Sequence, residues 1–136
     1  MARWFKRNFL WVFYGAFLVL AFLAGGEEAL FSLDVPFAGG KILVWLIFIA
    51  FLAYSLVSHV KESFFKTVRI VNGLWWGRQI GIDLYISVTL SLCLIYLVEG
   101  SFLVVLIWFV PILIFANLAI LPYILVNYSA IVGNFL

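Results

Sequence analysis

The stretch KESFFKTVRIVNGLWWGRQIGID, residues 61–83, separates two long apolar runs and holds four of the chain's eight Lys and Arg residues. The rest of the 136-residue chain is overwhelmingly apolar, and the whole has 68% hydrophobic residues, 10% charged residues and a mean hydropathy of +1.26. A chain of this composition has too few polar side chains to cover a water-soluble fold. The sequence therefore predicts an integral membrane protein.

The apolar runs on both sides of this stretch favour helices over strands. Strands of a membrane barrel alternate apolar and polar residues over about ten positions, whereas the runs here are unbroken for 16 residues or more. A helix needs about 20 residues to cross the ~30 Å hydrocarbon core. We predict an all-α membrane protein formed by residues 1–136 as a single domain, with four spans at 9–24, 42–58, 80–98 and 102–126.

The basic residues are segregated along the chain, and this predicts its orientation. Seven of the eight precede the first span or lie between the second and third: Arg3, Lys6, Arg7, Lys61, Lys66, Arg69 and Arg78. Lys41 lies in the opposite connection, which also carries the acidic residues Glu27, Glu28 and Asp34. Cytoplasmic loops are enriched in Lys and Arg. With an even number of spans, both chain termini are then expected in the cytoplasm, and the membrane is expected to be the plasma membrane (the inner membrane in a bacterium).

The N-terminus also has the three-part pattern of a secretory signal peptide, because MARWFKRN is followed by an apolar run and AFLAGG. However, AFLA is not an A-x-A cleavage site, and the apolar run is at the long end for such a peptide. We expect the segment to be retained as the first span.

Within residues 61–83, apolar side chains recur at helical spacing, at Phe64, Val68, Val71 and Trp75. Charged residues occupy another face, which predicts an amphipathic helix of roughly 13 residues lying flat at the cytoplasmic interface. The NG pair at 72–73 is expected to end it. The segment has two interpretations: an elbow that only connects two spans, or a surface that binds anionic lipid or a partner. The candidate contact residues are Lys61, Lys66, Arg69, Trp75, Trp76 and Arg78.

Polar residues inside the third predicted span are candidates for function, because hydrocarbon makes them costly. Asp83, Ser87 and Ser91 recur every four residues, and Glu99 follows at the outer end. One interpretation is close helix packing with local hydroxyl bonds. The other is an ion or proton path from Asp83 to Glu99.

The fourth predicted span, 102–126, contains Pro111, Asn117 and Pro122. A straight helix of this length would be about 37 Å long, so the span is expected to tilt or to bend at Pro111. Asn117 lies at mid-depth and is expected to face protein. Its partner would be a hydroxyl of the third span or, across an interface, a second subunit.

No catalytic or cofactor signature is present in the sequence. The chain has one cysteine, Cys93, and one histidine, His59, and it lacks a metal-ligand cluster or a phosphate-binding glycine loop. The small net charge of +2 does not suggest a nucleic-acid partner. We therefore predict a protein without enzyme activity, cofactor or metal. It would act by association, as a homo-oligomer or as an accessory subunit of a membrane complex, with membrane lipid as a further partner. The alternative is a small oligomeric channel or transporter, with polar residues of the third and fourth spans lining its pore.

Overall fold

The apolar runs form helices that extend into the flanking polar residues. The computed structural model describes residues 1–23 and 30–135, and within these ranges it has seven helices and no strands. Glu27 and Glu28 lie outside the described residues. The helices are α1 (Ala2–Leu23), α2 (Ala38–Lys61), α3 (Phe64–Asn72), α4 (Trp75–Glu99), α5 (Phe102–Phe115), α6 (Asn117–Val126) and α7 (Tyr128–Phe135). The predicted all-α class is confirmed.

Three helices are long and apolar enough to cross a membrane: α1, α2 and α4, with 22, 24 and 25 residues. A fourth crossing is reached only if α6 and α7 are counted together, and these two are bent by 78°. The molecule is therefore an integral membrane protein with three to four candidate spans.

The predicted fourth span, 102–126, is not one helix. The helix breaks at Ala116, where φ is 49° and ψ is −117°. The rings of Trp108 in α5 and Tyr123 in α6 meet with centroids 5.0 Å apart, although 15 residues of straight helix would separate them by about 22 Å. The chain therefore reverses direction at Ala116, and α5 and α6 form a helical hairpin.

The chain reverses at Ala116 and not at Pro111. Pro111 lies inside α5, which continues for four residues beyond it. A proline removes one backbone bond and can be accommodated with a kink, whereas the left-handed φ of Ala116 cannot be part of a helix. Hydropathy could not reveal this, because a straight span and a hairpin of the same residues have the same composition.

Helix α6 forms the core of the bundle. Six of its ten residues are buried, namely Ala119, Ile120, Pro122, Tyr123, Leu125 and Val126. It packs against α1, α2 and α5. Irregular backbone at membrane depth is tolerated where protein surrounds it, and this central position gives the hairpin such an environment.

Contacts near the helix ends define the two ends of the bundle. At one end, His59 near the end of α2 lies 2.9 Å from the Oδ1 of Asn8 in α1. At the other end, the hydroxyl of Tyr128, the first residue of α7, donates to the Phe37 carbonyl just before α2 (2.7 Å). Because α2 runs the length of the bundle, α7 begins at the end opposite to the start of α1. With α1, α2 and α4 as the crossings, the hairpin returns the chain to the end it came from and the termini lie at opposite ends. The expected even number of crossings requires α6 and α7 to form a fourth span.

We predict that the two chain termini face opposite sides of the membrane. In a Cys93→Ser background, a cysteine at Asn134 in α7 should react with an impermeant thiol reagent from the same side as a cysteine at Ser32. A cysteine at Thr67 in α3 should react only from the other side. Labelling of Asn134→Cys from the same side as Thr67→Cys would contradict this prediction and support a fourth crossing.

Candidate functional site

The elbow, residues 61–83, contains α3 and the start of α4. A close contact between the backbones of these two helices holds it together. Gly77 in the first turn of α4 is buried, and a Cβ added there would overlap the carbonyl oxygen of Val71 in α3. Only glycine lets the two helices approach this closely. Sequence analysis did not identify Gly77, although a glycine near the start of a long apolar helix was an available signal.

Helix α3 ends as expected but is shorter than expected. It covers Phe64–Asn72, and Gly73 follows as its C-terminal cap. Trp75, expected on the apolar face of the same amphipathic helix, instead begins α4. The break at Gly73 and Leu74 separates the two segments, so the helical spacing from Phe64 to Trp75 does not reflect one continuous helix.

The candidate contact residues of the elbow are all exposed. Trp75 and Trp76 have 81% and 77% of their surfaces accessible, and the Arg78 guanidinium carbon lies 4.2 Å from the centroid of the Trp75 ring. This distance is typical of a cation–π contact. The exposed cations around these rings are Lys61, Lys66, Arg69 and Arg78. The elbow therefore presents aromatic rings and positive charge together, at the bundle end where α1 begins.

We predict that Gly77→Ala destabilises the protein, because the added methyl group would push α3 away from α4. Overpacking of this kind costs about 1–3 kcal/mol. Gly81→Ala is the matched control, since a Cβ at Gly81 meets nothing within 4 Å and alanine favours a helix by up to about 1 kcal/mol over glycine. Thermal unfolding in a mild detergent measures both. Equal midpoints for the two variants would contradict the close contact.

Asp83 lies deeper in its helix than expected. The predicted span began at residue 80, which would place Asp83 in the first turn, near the positive helix end. Helix α4 begins at Trp75, so Asp83 is in the third turn, about 12 Å along the axis, where the helix-terminus effect has faded. The side chain is exposed on the protomer. In the described residues its carboxylate makes no hydrogen bond.

The hydroxyl groups on α4 bond within their own helix. Ser87 donates to the Asp83 carbonyl (3.2 Å) and Ser91 donates to the Ser87 carbonyl (2.9 Å). Thr89 donates to the Tyr85 carbonyl in the same way (2.9 Å). Each hydroxyl hydrogen is thus used by the backbone one turn earlier and is not donated to the next side chain. This arrangement suits helix packing better than proton relay.

Glu99, the fourth polar candidate on this helix, belongs to a different environment. The hydroxyl of the buried Tyr123 donates to its carboxylate (3.0 Å). This contact joins the last residue of α4 to α6. It lies 16 residues along α4 from Asp83, at the opposite end of the helix. Ser91 is half-buried between these two groups.

Asn117 has no partner among the described residues of the protomer, so the predicted hydroxyl partner on the third span is not found and a partner on a second subunit stays a prediction. It is the first residue of α6, at the tip of the hairpin, and its side chain is exposed and makes no hydrogen bond with any described residue. The tip lies about 21 Å along α5 from the bundle end where α5 begins. The first amides of any helix lack intrahelical partners, and Ala116 provides no side-chain cap. The tip therefore exposes a polar side chain in the interior of a long apolar stretch.

Directly behind the tip, one backbone carbonyl depends on a side chain from another helix. Pro122 has no N–H and cannot bond to the carbonyl of Leu118, four residues earlier. The hydroxyl of Tyr14 in α1 donates to that carbonyl instead (2.7 Å). Tyr14 is buried, and its ring also packs against Phe115 at the tip, with centroids 4.9 Å apart.

We predict that Tyr14→Phe lowers stability, because the Leu118 carbonyl would be left without a donor in a buried site. The expected cost is about 1–3 kcal/mol. Tyr54→Phe is the control, since Tyr54 is 72% exposed. Unfolding midpoints of both variants in mild detergent provide the measurement, and a Tyr14→Phe midpoint equal to that of Tyr54→Phe would contradict the prediction.

Lys41 is the second residue that sequence analysis did not single out as a site. Its side chain is completely buried, and it is the one buried charged residue within the described ranges. Its neighbour Gly40 is tightly packed, because a Cβ there would overlap the Tyr128 hydroxyl. Lys41 thus belongs to the packed end of the bundle, where α2 meets α6 and α7.

The described residues offer no enclosed ligand site. Two open grooves lie near the end of α2, one of them lined by Leu56, Val57, Val60 and Lys61. Among residues 1–23 and 30–135, no group of three His, Cys, Asp or Glu residues could hold a metal ion. Comparison of the chain with models of protein families, with curated proteins and with solved structures finds no match.

Proposed function

We propose that this protein acts by association within the membrane, either as a homo-oligomer or as an accessory subunit of a larger membrane complex, and has no enzyme activity of its own. One observation carries the proposal. The Asp83 carboxylate is exposed on the protomer about 12 Å along α4 from Trp75, two turns beyond the tryptophans of the elbow. A charged group in a span normally faces protein or a water-filled cavity.

The exposed apolar surface of the bundle is not an argument for association. Leucine, isoleucine and phenylalanine side chains are as well solvated by lipid tails as by another helix. Only the exposed polar groups discriminate between lipid and a partner. Asp83 therefore supports the proposal more strongly than the many exposed apolar side chains on α1, α2 and α4.

The same charge pattern supports an orientation. The bundle end that carries the start of α1 and the elbow holds seven of the eight basic residues, so we place that end in the cytoplasm. The N-terminus is then cytoplasmic and α7 lies on the outer side of a plasma membrane, the inner membrane in a bacterium. The exposed cations and tryptophans of the elbow would contact anionic lipid headgroups at the cytoplasmic surface.

We expect the purified protein in mild detergent to have the mass of at least two copies, or to co-purify with another membrane protein at a fixed ratio. Asp83→Leu should lower that mass, because the variant no longer needs a polar partner. Thr89→Val is the control, since the Thr89 hydroxyl is bonded to its own helix. Light scattering combined with identification of the co-purified chains measures the result. A monomer without a partner in detergent and in lipid nanodiscs would contradict the proposal.

An oligomeric channel or transporter is the second candidate, and the hairpin tip favours it. Half-helices that end at membrane depth line ion and substrate sites in transporters, and α6 begins at such a depth with Asn117 exposed. Water access to the tip separates the candidates. A cysteine at Asn117, in a Cys93→Ser background, would react with a hydrophilic thiol reagent if the tip lines an aqueous path, and would stay unlabelled if lipid or protein covers it.

A further inference from the structure

Helix α4 has two opposite faces with the same spacing. Residues of the packed seam face α3, α5 and the core, and all except Leu84 are buried or half-buried: Gly77, Gly81, Leu84, Val88, Ser91, Ile95 and Val98. Residues of the open seam lie on the other side, and all are exposed: Gln79, Asp83, Ile86, Leu90, Cys93 and Leu97. Both series alternate steps of four and three residues, the spacing by which two helices pack side by side with a left-handed crossing.

The open seam has no packing partner within the described protomer. Helix α4 packs mainly on α3, α5 and α7, and α5 contacts the packed seam through Val88 and Ile95 in the core cluster. Leu90 and Leu97 remain 65% and 74% exposed. Lipid could cover these leucines, so the apolar members of the open seam do not by themselves require a partner.

Asp83, the deeper polar member of the open seam, does require one. Gln79 and Asp83 lie about 6 Å and 12 Å along α4 from Trp75, one turn apart on the same face. The Gln79 amide is a donor and the Asp83 carboxylate is an acceptor, yet in the described structure they are not bonded to each other or to another residue. A seam that carries both a free donor and a free acceptor is complementary to itself.

We propose, building on the association proposed above, that a second copy of this chain docks on the open seam of α4. The two copies are related by a two-fold axis parallel to the membrane normal, so that identical residues face each other along the seam. Gln79 of each copy donates to Asp83 of the other, which satisfies both groups twice. The small Cys93 between Leu90 and Leu97 lets the backbones approach closely in the outer half of the membrane.

The native cysteine tests this arrangement directly, because it is the one cysteine of the chain and lies on the open seam. At a two-fold interface its Cα can come within the ~7 Å that a disulfide permits. A membrane-permeant oxidant applied to the protein in native membranes should convert most of it to a disulfide-linked dimer, and Cys93→Ser should abolish the product.

A cysteine scan in the Cys93→Ser background distinguishes a specific seam from random collision. Single cysteines at Leu90 and Leu97, on the open seam, should cross-link. Single cysteines at Thr89 and Tyr96 should not, because they are exposed on the same helix but point about 100° away from the centre of the seam. Ile107→Cys on α5 is a control at similar depth on another helix, since Ile107 is 64% exposed.

The polar pair is tested by substitution. Gln79→Leu or Asp83→Leu should weaken the dimer about eightfold, the effect of losing two average hydrogen bonds between membrane helices. Asp83→Asn should retain cross-linking, because its side-chain oxygen still accepts from Gln79. Equal loss with Asp83→Asn and Asp83→Leu would overturn the Gln79–Asp83 pairing.

The measured mass separates this proposal from the proposed function. If the protein is a homo-oligomer by mass but the open-seam cysteines do not cross-link above the level of Ile107→Cys, the interface lies elsewhere and this inference fails while the proposed function stands. If the mass shows a complex with a different protein and no second copy, this inference also fails. A monomer without a partner would overturn both.

Discussion

One side-chain hydrogen bond, from Tyr14 to a backbone carbonyl of α6, joins α1 to the central helix of the bundle. Pro122 leaves the Leu118 carbonyl without its helical donor, and the Tyr14 hydroxyl from α1 replaces that donor at 2.7 Å. In hydrocarbon, a backbone carbonyl without a partner costs several kcal/mol. Tyr14 thus fixes α1 to the hairpin just behind its tip, and α6, although short, is the most buried helix among the described residues.

The hairpin also determines which parts of the protein meet. Because α6 returns to the end from which α5 came, Tyr123 reaches Glu99 and Tyr128 reaches Phe37. At this end, α2, α4, α6 and α7 are linked by hydrogen bonds or close packing. The other end is held together more loosely, by the contact of Asn8 with His59 and by the elbow. The hairpin thus makes the bundle asymmetric across the membrane.

In a membrane, the polar groups of a helix are more informative than its apolar ones. Lipid solvates every exposed leucine on α4, so only the polar members of its open seam indicate a partner. Ser91 on the packed seam is satisfied by its own helix, whereas Asp83 and Gln79 on the open seam are not. The same reasoning makes Asn117 at the hairpin tip informative and gives the channel hypothesis its support. The elbow is different, because its exposed cations and tryptophans lie at the water interface, where exposure costs little.

The sequence by itself determined that this protein is embedded in lipid, that it is helical and where its elbow lies. These follow from composition, from unbroken apolar runs and from the NG pair that ends α3, all of which are local or additive properties. Only the tertiary structure decided the path of residues 102–126, the surroundings of Asp83 and Asn117, and the importance of Gly77. A straight span and a hairpin of the same residues have the same hydropathy and differ in the backbone of Ala116, and the hairpin is bonded by Tyr14, about one hundred residues away in sequence. Likewise, the sequence shows Gly77 only as a glycine near the start of an apolar helix, like Gly81, and its role depends on the approach of another backbone.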